Sequence, residues 1–240
     1  MMQTKVISIG GSIIAPDLPD QEFLVQFTHV VVSWLVSHPN RSIVLVAGGG
    51  AVARTYQGAY RTIEAKLGPT QRFNTEKARD TAADWIGVMA TRLNAELLRA
   101  CFGPMVHEPV VTNPMEAPTS FNRILIGSGW KPGFSSDYDA VLLATKYGAN
   151  TVINLSNIAQ VYTADPKKDE SAQPIVSISW ADFRKMVGNE WTPGMNTPFD
   201  PIASQLAEEK GIKVICAAGK NLENLAHILN DEDFLGTTIG

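Results

Sequence analysis

Glycine follows directly on three separate apolar runs, and such junctions can expose backbone amides to a phosphate. The junctions are residues 6–9 into Gly10, Gly11 and Ser12, residues 43–47 into Gly48, Gly49 and Gly50, and residues 124–126 into Gly127, Ser128 and Gly129. Each run predicts a buried strand whose carboxyl end opens into a turn that lets N–H groups approach an anion. Three such turns in one chain favour a ligand that carries several phosphates.

The loop that follows the third run adds side chains that suit a nucleoside monophosphate. Lys131 and the loop amides could bind a phosphate, while Trp130 or Phe134 could stack on a base. A structural turn anchored by Trp130 is the alternative. Arg54, one helical turn beyond the glycine triplet, supplies a second cation near the predicted phosphates.

The sequence carries no pattern typical of nucleophilic or zinc-dependent catalysis. The four histidines are isolated, the two cysteines have no CxxC spacing and no HExxH motif is present, so no protein-held metal site is predicted. A phosphate acceptor needs no general base, because its second pKa is about 6 and it is already an anion. Phosphoryl transfer can then depend on positioning and charge neutralisation alone.

Composition limits the class of protein. With 240 residues, 45% of them hydrophobic and 18% charged, the chain predicts one folded domain over 1–240, with a soft division between 1–149 and 150–240. A net charge of −4 gives no cationic field for nucleic acid. The sequence shows neither a signal peptide nor an apolar stretch of the ~20 residues that a membrane span needs. We therefore expect a cytoplasmic protein that binds neither nucleic acid nor membrane.

Short apolar runs alternate with stretches of helical spacing, which predicts an α/β fold with an open, mainly parallel sheet covered by helices on both faces. The predicted strands are residues 6–9, 43–47, 124–126, 151–155 and 213–217. One predicted helix spans 86–97, with an apolar stripe formed by Ile86, Met89, Ala90, Leu93 and Leu97.

Capping residues predict two further helices. One begins with Ser136 as N-cap and ends at Gly148, and another begins at Asp200 and Pro201 and ends at Gly211. Residues 67–80 and 190–199 are rich in Pro, Gly, Asn and Thr, and we interpret them as mobile segments or lids.

Taken in order, these motifs resemble those of the uridylate (UMP) kinases, in particular the archaeal-type branch of the amino acid kinase family. The matching segments are residues 9–12 (IGGS), 48–56, 84–98, 128–137, 161–168 (VYTADPKK), 200–203 (DPIA) and 236–239 (GTTI), which together span nearly the whole chain. The resemblance implies a three-layer αβα sandwich, ATP and UMP meeting end to end across the sheet, Mg²⁺, and a hexamer built from dimers.

The resemblance also implies residue roles. Arg54 and Lys131 would neutralise charge on the transferring phosphoryl group, and Asp84 would hold the ribose hydroxyls of UMP. ATP contacts are implied for Gly10, Gly11, Ser12, Gly50, Arg54, Ser156, Asn157, Tyr162 and Asp165. UMP contacts are implied for Gly49, Asp84, Ser128, Gly129, Trp130, Lys131, Pro132, Gly133 and Phe134.

Two departures from the family pattern keep alternatives open. Many relatives carry a lysine where Ser8 stands and an aspartate where Ala159 stands, so a non-catalytic nucleotide-binding protein for regulation or storage is one alternative. A kinase of small carboxylates is another, although those relatives carry a lysine at the position of Pro198. The sequence does not decide between UMP and CMP as the acceptor.

Overall fold

The structure is a computed structural model that describes residues 3–68, 75–166, 168–188 and 197–240. Its strands are β1 (Gln3–Ile9), β2 (Arg41–Ala47), β3 (Ile124–Gly127), β4 (Thr151–Ser156), β5 (Val161–Tyr162), β6 (Pro174–Ile175), β7 (Ser177–Ile178), β8 (Lys213–Ala218) and β9 (Thr237–Ile239). Its helices are α1 (Gly11–Ile14), α2 (Gln21–Ser37), α3 (Gly50–Leu67), α4 (Glu76–Phe102), α5 (Ser136–Lys146), α6 (Trp180–Val187), α7 (Pro201–Lys210) and α8 (Leu222–Leu229).

Seven of these strands form one sheet in the order β3-β2-β1-β4-β8-β9-β7. The strands from β3 to β8 are parallel, and β9 pairs antiparallel with β8. The carboxyl ends of β1, β2, β3 and β4 therefore lie along one edge, where open parallel sheets bind ligands. The predicted class and all five predicted strands are confirmed, with small differences at the strand ends.

Alternating side chains on the strands build a hydrophobic core on each face of the sheet. Ile7 and Ile9 of β1 point to the face covered by α2, α4 and α8, whereas Val6 points to the face covered by α5, α6 and α7. The three-layer arrangement is thus confirmed. The division into 1–149 and 150–240 stays a prediction, and parallel pairing of β1 with β4 joins the two parts.

Helix ends follow the capping residues, with one correction. Asp200 caps α7 by accepting the Ala203 N–H at 2.6 Å, and Gly211 ends that helix at φ +64°. The N-cap of α5 is Ser135, not Ser136, because Ser135 has the extended backbone and its Oγ accepts the Tyr138 N–H at 3.3 Å. The predicted helix over 86–97 is confirmed inside the longer α4.

The predicted apolar stripe on α4 is divided between the core and the surface, because Ala90 is buried while Met89 and Leu93 face outward. Met89 and Leu93 are 56% and 62% exposed, while Ala95 and Leu98 are buried. The core-facing side of α4 combines small and polar residues with a few large apolar ones, which is why a stripe of large apolar residues identified it only in part.

The two segments predicted as lids lie partly outside the described residues. Residues 69–74 and 189–196 are not described, whereas α4 already covers 76–80 and Phe199 is fully buried in the core. The lid interpretation is therefore wrong for Phe199 and for 76–80. Within the described ranges, no helix is both long and apolar enough to cross a membrane.

Candidate active site

The first two glycine turns lie backbone against backbone. The Gly48 N–H donates to the Ile9 carbonyl at 2.9 Å, and a Cβ on Gly11 would lie 2.0 Å from the Gly50 nitrogen. Gly50 has a φ of +66°, a conformation that side chains disfavour. The glycine triplet therefore lets two strand ends approach more closely than any side chain would permit.

Four of the residues predicted to bind ATP meet at the ends of β1 and β4. The Gly10 N–H donates to the Leu155 carbonyl at 2.8 Å, and Asn157 Nδ2 donates to Ser12 Oγ at 2.9 Å. A Cβ on Gly10 would lie 3.7 Å from the Cα of Ser156. Two further residues predicted to bind ATP come later in the chain: Tyr162 lies on β5, and Asp165 lies in the segment after it.

The loop predicted to bind UMP is anchored by side chains outside it, which accept hydrogen bonds from its backbone N–H groups. Thr91 Oγ1 accepts the Gly129 N–H at 2.7 Å, and Asp139 Oδ2 accepts the Trp130 N–H at 3.0 Å. Asp84 Oδ2 accepts the Gly133 N–H at 3.0 Å. We call residues 128–134 the substrate loop. With the Ser128 N–H, which donates to the Val111 carbonyl at 2.9 Å, four of its amides already have acceptors inside the protein, so its side chains carry much of any ligand recognition.

A cation and three aromatic rings lie next to each other in and after this loop. The Lys131 ammonium is 3.8 Å from the Trp130 ring centroid and 5.2 Å from that of Phe134, distances typical of cation–π contacts. Phe134 in turn packs against Tyr138, with ring centroids 4.6 Å apart. Lys131 is exposed, as is Arg54 on α3. Both predicted cations are thus accessible to an incoming anion.

The carboxyl groups of Asp137, Asp139 and Asp200 cluster at the start of α5 and α7. Ser8 Oγ donates to Asp137 Oδ1 at 2.8 Å, and the backbone N–H of Asp200 reaches Asp137 Oδ2 at 3.4 Å. Burial, with a smaller contribution from the charge of Asp200, raises the pKa of Asp137 to about 6. Burial also raises the pKa of Asp139 to about 7. At Ser8, where the family resemblance leads us to expect a lysine, this chain places a hydroxyl against a carboxyl group.

Sequence reasoning missed three polar residues on α4 that join the loops. Asn94 Nδ2 donates to the carbonyls of Gly48 at 2.8 Å and Gly49 at 3.3 Å, while Thr91 and Arg92 contact the substrate loop. Thr91 and Asn94 are buried, one turn apart. Their place inside 84–98, one of the segments that resemble the family, was the available signal, because α4 carries many other polar residues.

Lys220, just beyond β8, is a further cation that was missed. Its ammonium donates to the Ile13 carbonyl at 3.0 Å and to Asp20 Oδ2 at 2.5 Å. These contacts fix α1, which begins at Gly11, to the end of β8. A lysine three residues past a predicted strand was the available signal.

The donor set determines what kind of metal ion fits. Among the described residues there is no group of three His, Cys, Asp or Glu side chains that could hold an ion. Mg²⁺ in nucleotide sites typically uses one or two carboxylates together with substrate phosphates. The site therefore fits an ion that arrives with a nucleotide, and does not fit a metal centre made of protein alone.

Comparison with known proteins agrees with this geometry. The model of the amino acid kinase family matches residues 3–218. A uridylate kinase of Methanospirillum hungatei is 33% identical over 99% of this chain and 95% of its own length, and one of Pyrococcus abyssi is 31% identical over 98% of both. The crystal structure of a uridylate kinase from Archaeoglobus fulgidus superposes with a TM-score of 0.77 at 30% identity, covering 100% of both chains. The fold, the paired glycine turns and these similarities together show that the chain belongs to the amino acid kinase family.

Proposed function

We propose that this protein transfers the γ-phosphoryl group of ATP to UMP and releases ADP and UDP. The observation that carries the proposal is the arrangement of the sheet edge. The ends of β1 and β4 bring four predicted ATP residues together, and α4 connects the glycine triplet to the substrate loop. The uridylate kinases that share this fold and about a third of the sequence support the same substrates.

The proposed reaction needs charge neutralisation and alignment. The phosphate of UMP attacks the γ-phosphorus in line, the P–O bond to ADP breaks, and no general base is required because the acceptor is already an anion. Arg54 and Lys131 are the accessible cations that we assign to the transferring phosphoryl group. We assign the backbone amides of Gly11, Ser12 and Gly50 to the phosphates of ATP, and we assign Gly10, whose N–H donates to the Leu155 carbonyl, to close packing against them.

We assign the remaining predicted residues by side of the site. On the ATP side these are Ser156, Asn157, Tyr162 and Asp165, and on the UMP side they are Gly49, Asp84, Ser128, Gly129, Trp130, Pro132, Gly133 and Phe134. Asp84 uses Oδ2 on the Gly133 N–H, so we assign its other oxygen to the ribose hydroxyls. The aromatic faces of Trp130 and Phe134 suit the pyrimidine.

Mg²⁺ is the metal ion that this reaction would use. It would be held by the phosphates of ATP, with Asp137, at the start of α5 and hydrogen-bonded to Ser8 of β1, as the carboxylate that we assign to it. When bound, the ion supplies further neutralisation of the phosphate charge.

We also propose that the chain assembles with copies of itself, up to the hexamer that the family resemblance implies. Of the 18 residues of α3, all of them described, only Ala53 is buried. The exposed apolar face of α3 and α4 forms a groove of about 420 Å³, which we call the α3/α4 groove, lined by Val52, Tyr56, Trp85, Ile86, Met89, Ala90 and Leu93. A continuous apolar surface of this kind is typical of an interface, and a two-fold dimer would bury it on both copies at once.

Measuring ADP release at saturating ATP and Mg²⁺ with a panel of acceptors tests the proposed activity. UMP should support turnover, and CMP in the panel measures pyrimidine selectivity. A protein active only with acetylglutamate would be a carboxylate kinase, whereas one that binds ATP and UMP in calorimetry without releasing ADP would be a regulatory or storage protein. Either result contradicts the proposal. The expected cytoplasmic location stays a prediction.

A further inference from the structure

The backbone of Trp130 is fixed on both sides by side chains outside the substrate loop. Asp139 Oδ2 accepts its N–H at 3.0 Å, and Arg92 Nη2 donates to its carbonyl at 3.1 Å, with Arg92 Nε reaching the Gly129 carbonyl at 3.5 Å. Fixing the peptide groups before and after one Cα restricts the direction in which that residue's side chain can leave the backbone. The orientation of the Trp130 ring therefore depends on Asp139 and Arg92.

The Trp130 ring in turn determines where the Lys131 ammonium lies. The ammonium sits 3.8 Å from the ring centroid, closer than to the Phe134 ring at 5.2 Å. A long lysine side chain loses much rotamer freedom when its charge is held against an aromatic face. A contact chain thus runs from Asp139 through Trp130 to the cation that faces solvent.

The environment of Asp139, which accepts the Trp130 N–H, is unusual for a carboxyl group. It is fully buried, and its Oδ1 has no hydrogen-bond partner among the described residues. A buried carboxyl group with an unpartnered oxygen opposes folding, so stability alone does not account for it. Such costs are commonly associated with functional sites.

We infer that Asp139 is a positioning residue for the acceptor side of the reaction, which orients Trp130 and thereby holds Lys131 where the UMP phosphate binds. The inference rests on the proposed function and deepens it. Arg92 fixes the peptide group on the other side of the Trp130 Cα. Neither residue touches the reacting atoms. Both contact the loop that we assign to UMP, so their substitution should change the KM for UMP more than the KM for ATP.

Steady-state kinetics on Asp139→Ala, Asp139→Asn and Arg92→Met tests this inference. Asp139→Ala should raise the KM for UMP about tenfold and leave the KM for ATP within about twofold, because it leaves the Trp130 N–H without an acceptor. Asp139→Asn keeps an acceptor oxygen and should recover most of the loss. Arg92 is only half-buried, so Arg92→Met should fold and raise the KM for UMP in the same way.

A double-mutant cycle separates positioning from general destabilisation. If Asp139 acts through Lys131, then Asp139→Ala should add little to the KM for UMP in a Lys131→Met background. Trp34→Phe, which removes a buried hydrogen bond to the Leu229 carbonyl elsewhere in the fold, is the control and should leave the KM for UMP unchanged.

The outcomes distinguish this inference from the proposed function. A wild-type enzyme without UMP kinase activity defeats the proposed function itself. An active wild type with additive effects of Asp139→Ala and Lys131→Met, or with an unchanged KM for UMP in Asp139→Ala and Arg92→Met, overturns the positioning role alone.

Discussion

Individual side chains in this protein carry the charges that three glycine turns alone cannot supply. Lys131 is exposed, held against the rings of Trp130 and Phe134, and part of a loop whose backbone is anchored at Gly129, Trp130 and Gly133. Because those three amides and that of Ser128 already have acceptors, the ammonium is the principal group of the loop that we assign to a phosphate.

Replacing Lys131 with methionine should therefore weaken UMP binding. A hydrogen bond to a charged group contributes about 1.5–3 kcal/mol, so the KM for UMP should rise roughly 10- to 100-fold while the KM for ATP changes little. Lys185→Met removes an exposed lysine on α6 that pairs with Asp182, and it should have no effect on either KM. An unchanged KM for UMP in Lys131→Met would remove this lysine from the site.

The buried acid Asp139 makes stability depend on pH in a defined direction. Its pKa is about 7 in the folded protein against a usual value of 3.8, so the folded state holds a proton that the unfolded state loses. Stability should therefore fall as pH rises from about 4 to about 7, and Asp137, with a pKa of about 6, contributes in the same direction.

Urea unfolding of the wild type and of Asp139→Asn at pH 5 and pH 8 checks that dependence. Asparagine cannot titrate, so the loss of stability between the two pH values should be smaller in the variant. Equal losses in both proteins would show that Asp139 does not hold the proton.

At the scale of elements, five strands could be predicted because their mainly apolar runs are short, and three of these runs end directly at a glycine. The caps at Asp200 and Gly211 could be predicted because each residue type has a specific backbone geometry. The buried side of α4 could not be predicted, since it interacts with the loops through Thr91 and Asn94 while Met89 and Leu93 face outward.

The candidate site, too, could be predicted only in part. Its glycines, Asp84 and Lys131 stand in motifs that can be recognised in the sequence. Arg92 and Asp139 act through contacts with the backbone of the substrate loop, and such contacts depend on tertiary packing that no local pattern encodes.

The close approach of the first two glycine turns can be tested with a matched pair of alanine substitutions. A Cβ at Gly11 would lie 2.0 Å from the Gly50 nitrogen, so Gly11→Ala should abolish most kinase activity. A Cβ at Gly58, in the middle of α3, meets nothing within 4 Å, so Gly58→Ala should keep activity and stabilise the protein by about 0.5–1 kcal/mol. Full activity in Gly11→Ala would contradict the packing of the two turns.

At the scale of the whole molecule, the α3/α4 groove predicts association. Tyr56, Met89 and Leu93 are each more than half exposed on one continuous face, and a charge placed there would have to be desolvated in an interface. Met89→Glu combined with Leu93→Glu should therefore reduce the mass measured by light scattering below that of the wild-type assembly, toward that of the 26.0 kDa chain.

Val36→Glu provides the control for that experiment. Val36 is exposed on α2, away from the groove, and its substitution should leave the assembly intact. A wild type that is already monomeric at micromolar concentration, or a double variant that keeps the wild-type mass, would exclude the groove as the interface.

Transfer of a labelled γ-phosphoryl group is the most direct test of the central claim that ATP and UMP meet at this sheet edge. With γ-labelled ATP, Mg²⁺ and UMP, the account predicts that the label appears in the β-phosphate of UDP, in amounts equal to the ADP formed, and that Gly11→Ala prevents its appearance. Absence of labelled UDP from a wild-type protein that binds both nucleotides, or release of the label only as inorganic phosphate, would contradict it.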